Sequence, residues 1–170
     1  LIVSKNLMIK QMRDLKISHK FFLIDKDNFD YTKLSNVKPN VIDVDFAFKQ
    51  PFEKITKKSN KYISKCFSIA SGLIKKNKCA GLINGPISKE NFLSGNFLGI
   101  TEYLASKNNK KDKVAMLIYN KKLSVSPITT HLALKDVHKN ISKKKIINQV
   151  KLIVDFYNKK FKINPKIAIT

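Results

Sequence analysis

The chain has 170 residues, of which 43% are hydrophobic and 27% are charged, and its formal net charge is +22. This length suits one domain or parts of two, and no apolar run approaches the roughly 20 residues that a membrane span needs. The charge raises the possibility of nucleic-acid binding. However, Arg13 is the one arginine, and specific phosphate or base recognition favours arginine. Because the lysines are spread along the whole chain, we expect them to form a solvated surface, and we expect neither a nucleic-acid nor a membrane partner. The alternative is that the chain is a module that binds polyanions.

The first half of the sequence alternates between strand-like and helix-like patterns. Strands are predicted at residues 1–3, 20–24, 41–46 and 80–83, and helices at residues 6–16 and 53–76. The helix over 53–76 has the strongest pattern, because its apolar residues recur at the three-and-four spacing of one buried face. The run at 80–83 is almost entirely apolar, which is typical of a parallel strand buried on both sides.

The second half of the sequence also predicts alternating helices and strands, except for one antiparallel hairpin. Thr101 is expected to cap a short helix that continues to Ser106, and Ser142 to cap the last helix. Strands are predicted at 114–119 and 123–128, joined as a hairpin, and at 165–170. The alternation places the chain in the α/β class. Because a strand pattern stands at each terminus, we expect the fold to be incomplete at both ends.

Two cysteines, Cys66 and Cys79, are too few for a disulfide framework. Cys66 falls on the apolar face of the predicted helix, and Cys79 directly precedes the strand at 80–83. We therefore expect two small buried hydrophobic residues in a reducing compartment. The opening residues lack the basic and apolar regions of a signal peptide, and we expect a cytoplasmic protein.

A tight turn, Asn84-Gly85-Pro86, follows the predicted strand at 80–83. One interpretation is simple chain reversal. The other is a backbone that approaches a ligand closely, because Gly85 has no side chain. In that case Lys89 would be a cation near an anionic substrate. Ligands bind at the carboxyl ends of strands in parallel α/β folds, and this turn occupies such a position.

His131 is the strongest single candidate for chemistry, since it follows Thr129 and Thr130 at the end of the strand predicted at 123–128. Neutral imidazole is a common metal ligand and acid–base group. The alternative is a structural hydrogen-bonding residue, and His19 and His138 are expected to lie on the surface. A metal site would need ligands from outside this chain, because no zinc-type histidine cluster is present. No Gly-x-Gly-x-x-Gly or Walker pattern occurs either.

Three motifs, taken together, resemble the 4-hydroxythreonine-4-phosphate dehydrogenase family of vitamin B6 biosynthesis. They are Ala-Gly-Leu-Ile-Asn-Gly-Pro at 80–86 with Lys89, Phe-Leu-Gly-Ile-Thr-Glu-Tyr-Leu at 97–104, and Thr-Thr-His-Leu-Ala-Leu-Lys-Asp-Val at 129–137. The resemblance implies an α/β/α sandwich of the isocitrate and isopropylmalate dehydrogenase type. It also implies a homodimer, with residues 1–95 in the first domain and 96–170 in the second, dimer-forming domain.

The same resemblance implies the chemistry. It implies oxidation of 4-phosphohydroxy-L-threonine by NAD or NADP, giving a 3-oxo acid that decarboxylates to 3-amino-2-oxopropyl phosphate. A divalent metal (Zn, Mg or Co) would be bound by three histidines, of which His131 matches the first. Thr101 and Lys89 would contact the small phosphorylated hydroxy-acid substrate. The other ligands and most of the nicotinamide site would lie beyond Thr170, so we expect the fragment alone to be inactive.

One position departs from the family pattern. Ile100 stands where the family often has a histidine that contacts the substrate. Isoleucine cannot donate a hydrogen bond, so the substrate assignment is weaker than the family assignment. Oxidation of threonate or erythronate 4-phosphate by a related dehydrogenase is the alternative within the same class.

Overall fold

The computed structural model describes residues 1–111 and 113–170, and these form two compact units, Leu1–Ser94 and Gly95–Thr170. The strands are β1 (Ile2–Val3), β2 (Phe22–Leu23) and β3 (Asn40–Asp43). The α-helices are α1 (Lys5–Asp14), α2 (Lys57–Lys75), α3 (Lys89–Leu93), α4 (Ile100–Lys107), α5 (Leu134–Val137) and α6 (Lys143–Phe161). Short 3-10 turns lie at Tyr31–Lys33 and His138–Asn140.

The first unit is built on a small parallel sheet with the order β1-β3-β2. Ile2 pairs with Ile42 on one side of β3, and Phe22 pairs with Asn40 on the other. The central strand is the most buried, since Val41 is fully inaccessible to solvent. This arrangement confirms the α/β class, since the three strands are parallel and α1 joins β1 to β2.

Helix α2 packs on the sheet through one apolar face. Phe67, Ala70 and Leu73 are its buried residues, and they share the spacing of one helical stripe. Phe67 also contacts Phe92 of α3, with ring centroids 5.9 Å apart. The helix begins at Lys57 rather than at residue 53, because Thr56 adopts the extended backbone of an N-cap.

The second unit contains α4, α5 and α6. Ser142 caps α6 as predicted, because its hydroxyl oxygen accepts a hydrogen bond from the backbone N–H of Lys145 at 3.3 Å. Most apolar residues of α6 are half-buried, and Ile147 remains exposed. Near its C-terminus, Tyr157 and Phe161 pack edge to face at 5.2 Å, and Phe161 stacks on Tyr119 at the same distance.

The strand prediction at residues 80–83 is wrong for this structure. The segment is coil, and the side chain of Ile83 is 99% exposed. Within the described residues β1 makes its ladder with β3, and 80–83 has no ladder partner. The backbone N–H and C=O groups of a strand need hydrogen-bond partners on a neighbouring strand. Without such a strand, these groups of an apolar segment must bond to water instead.

The predicted hairpin is reduced to one antiparallel bridge, between Ile118 and Val125. Its two backbone hydrogen bonds measure 2.8 and 3.0 Å, but the flanking residues do not continue the ladder. Both bridging side chains are exposed, and a two-stranded hairpin without a covered apolar face is marginal. The predicted strand at 165–170 is likewise coil, with Ile169 exposed.

The surface is dominated by lysine. The ion pairs in the described part of the chain join Lys26 to Asp27 and Lys139 to Asp136, so each links residues of one local segment. His19 and His138 are exposed, as expected. Cys66 and Cys79 are half-buried rather than fully buried, and burial raises the pKa of the Cys66 thiol. None of the helices described is long and apolar enough to cross a bilayer.

Candidate functional site

The backbone of His131 is in the left-handed region, with a φ of 56°. Few residues other than glycine adopt this conformation, although histidine, asparagine and aspartate do so more often than most. A residue held there costs of order 1–3 kcal/mol, and such residues cluster at functional sites. The turn directs the ring of His131 toward the start of α4, although the residue as a whole is exposed.

Gly99 lies where the His131 ring meets α4. It is the N-cap of that helix, with an extended backbone (φ −158°, ψ 176°) that any residue can adopt. Its special property is therefore the missing side chain. A Cβ atom on Gly99 would stand 2.8 Å from Oε2 of Glu102 and 3.8 Å from Nε2 of His131. The shorter distance is well inside van der Waals contact, so the carboxylate occupies space that only glycine leaves open.

Glu102 is the third residue of α4, and its side chain folds back over the N-cap. The positive end of the helix dipole favours a carboxylate in this first turn. Its Oε2 atom is inaccessible to solvent and has no hydrogen-bond partner among the described residues. An unsatisfied buried polar atom costs about 1–3 kcal/mol, and more when it is charged. The arrangement therefore leaves a buried acceptor without a partner at the start of α4.

The other residues of this turn have simpler surroundings. Thr101 is the second residue of α4 and is exposed, so it does not cap the helix as predicted; Gly99 holds that position. Ile100 is the first residue of the helix and is half-buried. His131 thus lies near Gly99 and Glu102, and Thr101 belongs to the same helix start as those two residues.

Lys89 belongs to the other compact unit, where it is the exposed first residue of α3. The turn at 84–86 precedes it and is also exposed. A Cβ added to Gly85 would meet nothing within 4 Å, so the open space that a close approach requires is present. Asn84 donates a side-chain hydrogen bond to the carbonyl oxygen of Gly85 at 3.1 Å, which stabilises the turn.

An open apolar cavity of about 680 Å³ lies in the first unit, between the sheet, α2 and the segment before Lys89. Cys66, Cys79 and Tyr62 contribute to its wall. Burial raises the pKa of Tyr62 to about 12, so its hydroxyl is neutral at ordinary pH. It accepts a hydrogen bond from the backbone N–H of Ser4 at 2.8 Å. The cavity therefore offers apolar surface and few polar groups.

The second unit contains two side chains, those of Glu102 and His131, that could bind a divalent metal. No cluster of three or more His, Cys, Asp or Glu side chains suited to a metal occurs in residues 1–111 and 113–170. Neutral imidazole and carboxylate are nevertheless both common ligands of divalent ions, and catalytic zinc sites commonly use three protein ligands. The orphaned oxygen of Glu102 and the nearby nitrogen of His131 fit part of such a site.

Sequence reasoning singled out His131 and Thr101 but gave Glu102 no role. An acidic residue three positions after a helix N-cap is most simply explained as a capping or dipole residue. The signal that distinguishes it is the glycine at the N-cap, which gives the carboxylate room to fold back. That signal needs the three-dimensional position of His131 to be interpreted.

The fold and this cluster define an α/β protein with a candidate ligand site at a helix start. The family model described as "Pyridoxal phosphate biosynthetic protein PdxA" matches residues 1–170. The chain therefore belongs to the PdxA family, which confirms the resemblance inferred from the three motifs.

Individual relatives agree with this assignment. A 4-hydroxythreonine-4-phosphate dehydrogenase from Sulfurihydrogenibium sp. is 39% identical over 133 residues, which are 76% of this chain and 40% of the relative. One from Aquifex aeolicus is 38% identical over 91 residues, covering 52% of this chain and 28% of the relative. A D-threonate 4-phosphate dehydrogenase from Salmonella typhimurium is 27% identical over 134 residues, covering 76% and 41%. The chain thus spans less than half the length of these relatives.

A solved structure from Salmonella typhimurium, described as a 4-hydroxythreonine-4-phosphate dehydrogenase, has the same fold. The TM-score is 0.80 at 21% identity, and the alignment covers 92% of this chain and 49% of that chain. The likeness extends over both compact units of the chain, although the sequences have diverged. It supports the α/β architecture and carries no information on substrate.

Proposed function

We propose that the protein carrying this chain is a dehydrogenase that oxidises 4-phosphohydroxy-L-threonine to a 3-oxo acid, which decarboxylates to 3-amino-2-oxopropyl phosphate. NAD is the proposed hydride acceptor, with NADP as the alternative. The observation that carries the proposal is the family match over residues 1–170 together with relatives named as dehydrogenases. Pyridoxal phosphate biosynthesis is the corresponding pathway, because the family description names it.

The proposed architecture is the α/β/α sandwich of the isocitrate and isopropylmalate dehydrogenase type. Residues 1–95 would belong to one domain and residues 96–170 to a second domain that forms a homodimer. The cytoplasm is the proposed location. The residues present supply part of an active site, and the remaining metal ligands would come from outside this chain. No residue of this chain is assigned to the nicotinamide cofactor, since no dinucleotide fingerprint occurs in the sequence.

His131 is the proposed metal-binding residue, through a nitrogen of its neutral ring. A divalent cation (Zn, Mg or Co) held at this site would supply Lewis-acid polarisation of the substrate hydroxyl and of the carbonyl formed from it. The left-handed backbone of His131 sets the direction in which its side chain leaves the main chain.

Thr101 and Lys89 are the proposed substrate contacts. The hydroxyl of Thr101 is exposed at the start of α4, where it can donate to or accept from a polar group of the substrate. Lys89 carries a positive charge suited to a phosphate or carboxylate, and its exposure leaves all three donors available. Both residues bind and orient the substrate in this proposal, and neither takes part in proton or hydride transfer.

The test is turnover and metal content of the full-length gene product. With 4-phosphohydroxy-L-threonine and NAD, we expect NADH to form. His131→Asn is the informative variant, because asparagine tolerates the left-handed backbone and removes the imidazole. We expect it to lose bound metal and turnover together. Normal metal content with full activity would exclude the ligand role of His131.

A related dehydrogenase of threonate or erythronate 4-phosphate is the second candidate. Two observations favour it: Ile100 replaces the expected histidine, and a D-threonate 4-phosphate dehydrogenase is among the relatives. The ratio of kcat/KM values for the two classes of substrate decides between them. If the first candidate holds, Ile100→His should raise kcat/KM for 4-phosphohydroxy-L-threonine; a preference for threonate 4-phosphate in the unaltered protein would favour the second.

A further inference from the structure

We propose that Glu102 is a second cation-binding group of this chain, and that its carboxylate and the imidazole of His131 flank one divalent ion beside Gly99. This inference rests on the proposed function, because it extends the metal site to which His131 was assigned there. It adds a carboxylate to the expected histidines and gives Gly99 a specific role.

Two atoms that could bind a metal lie near Gly99. The Oε2 atom of Glu102 and the Nε2 atom of His131 both lie within 4 Å of the same point, the position a Cβ on Gly99 would occupy. The two atoms do not form a hydrogen bond with each other, since Oε2 has no partner among the described residues. A carboxylate oxygen and an imidazole nitrogen therefore both lie near Gly99, and the carboxylate oxygen is without a partner there.

The second argument is energetic. A buried carboxylate oxygen without a partner is costly, and a fold that retains one generally satisfies it with an ion, a water or a ligand. Carboxylate oxygen is a suitable ligand for Mg²⁺, Mn²⁺ and Zn²⁺, and imidazole nitrogen for Zn²⁺ and Co²⁺. A divalent cation held by both groups would satisfy Oε2 and exploit the nitrogen of His131.

The competing explanation is structural. In a capping box, the acidic side chain at the third helical position accepts a hydrogen bond from the backbone N–H of the N-cap. Glu102 has that sequence position relative to Gly99, but its buried oxygen accepts no such bond. If capping were its whole role, replacing the carboxylate by an amide would leave ion affinity unchanged. The two explanations therefore differ in a measurable quantity.

Gly99 supplies an independent test of the same inference. Its extended backbone accommodates alanine, so the expected effect of Gly99→Ala arises from the added methyl group. That methyl would stand 2.8 Å from Oε2 of Glu102 and must displace the carboxylate. Gly72 is the matched control, because a Cβ there meets nothing within 4 Å. Gly72 lies in α2, which belongs to the first compact unit.

The experiment is a titration of the full-length gene product with Co²⁺, whose visible absorption reports binding separately from activity. We expect Glu102→Gln, which preserves the shape of the side chain, to weaken Co²⁺ binding at least roughly 10–100-fold, because loss of a partner that only orients a ligand already has an effect of that size. Glu90→Gln is the matched control, since Glu90 is an exposed acidic residue in the first turn of α3. It should leave the affinity unchanged.

Gly99→Ala should weaken Co²⁺ binding and Gly72→Ala should not. Unchanged affinity in Glu102→Gln, with binding lost in His131→Asn, would overturn this inference and leave the proposed function standing. Unchanged affinity in His131→Asn as well would overturn the proposed metal role itself. If Glu102→Gln does not fold, Gly99→Ala decides, and retained affinity there overturns the role of Glu102.

Discussion

The side-chain amide of Gln149 donates a hydrogen bond to the backbone carbonyl of Pro127 at 2.8 Å. The same nitrogen donates to the hydroxyl of Ser126 at 2.7 Å. These bonds tie the middle of α6 to the segment that leads into His131. Gln149 is buried, so the bonds are protected from competing water, and they fix the chain four residues before the left-handed turn.

We therefore expect Gln149→Ala to act both on stability and on the site. Loss of two buried hydrogen bonds should lower the free energy of unfolding by about 1–3 kcal/mol, because the Pro127 carbonyl loses its partner. Divalent-ion affinity should fall as well, since the segment before His131 becomes less ordered. Urea unfolding and Co²⁺ titration measure the two effects. Asn148→Ala is the control on the same helix, where the side chain is exposed; equal effects of the two variants would contradict the anchoring role.

Tyr62→Phe should destabilise the first compact unit. The backbone N–H of Ser4, which is 3% exposed, donates to the hydroxyl of Tyr62 at 2.8 Å. The substitution leaves that N–H buried without a partner, at a cost of about 1–3 kcal/mol in the free energy of unfolding. Tyr31→Phe is the control, because the hydroxyl of Tyr31 bonds to the carbonyl of Asn77 at an exposed position. A loss as large in the control as in Tyr62→Phe would contradict this account.

Tyr62 should also make stability depend on pH in the alkaline range. Burial raises the pKa of its hydroxyl from the usual 10.0 to about 12, because the charged form is poorly solvated there. The unfolded chain therefore loses this proton first as the pH rises. The contribution of Tyr62 is complete below pH 10 and declines between 10 and about 12. The stability difference between the unaltered protein and Tyr62→Phe should shrink over that interval; a constant difference would show that the hydroxyl titrates normally.

Leu73→Ala should be among the more damaging core substitutions in the first unit. Leu73 is 7% exposed on the face of α2 that packs toward the sheet. Truncating a buried leucine typically costs about 2–5 kcal/mol, from lost burial and from the cavity left behind. Val37→Ala is the control at a side chain that is 92% exposed, and it should change stability by less than about 0.5 kcal/mol. Thermal or urea unfolding of both variants checks the expectation.

Sequence periodicity located the helices well and the strands less well. The helix predicted at 53–76 is α2, shortened by four residues at its start, and the cap at Ser142 is correct. Both depend on local pattern, which a single sequence contains. The strand at 80–83 depends instead on a neighbouring strand, and within the described residues it has none. Hydrophobicity predicts that burial of a segment is favourable, but it does not show which other element packs against that segment.

In the candidate site too, the local sequence motif could be predicted, but the contacts between side chains could not. The motif around His131 was recognisable, but its left-handed backbone and the direction of its ring were not. The cap position was assigned to Thr101, because hydroxyl residues are preferred there, whereas the structure uses Gly99. The carboxylate of Glu102, three residues along the chain, occupies the space that a side chain at Gly99 would need. Pair contacts of this kind depend on side-chain conformation, which residue type alone does not determine.

The lysine-rich surface has a consequence for handling the protein. Its formal charge is +22. The ion pairs seen in the described residues, Lys26–Asp27 and Lys139–Asp136, each join two residues of one local segment and offset little of this charge. Mutual repulsion among such like charges opposes compaction and weakens as the Debye length shortens from about 30 Å at 0.01 M salt to about 10 Å at 0.1 M. Moderate ionic strength should therefore favour purification, storage and refolding, and dilute buffer should be the more hazardous medium.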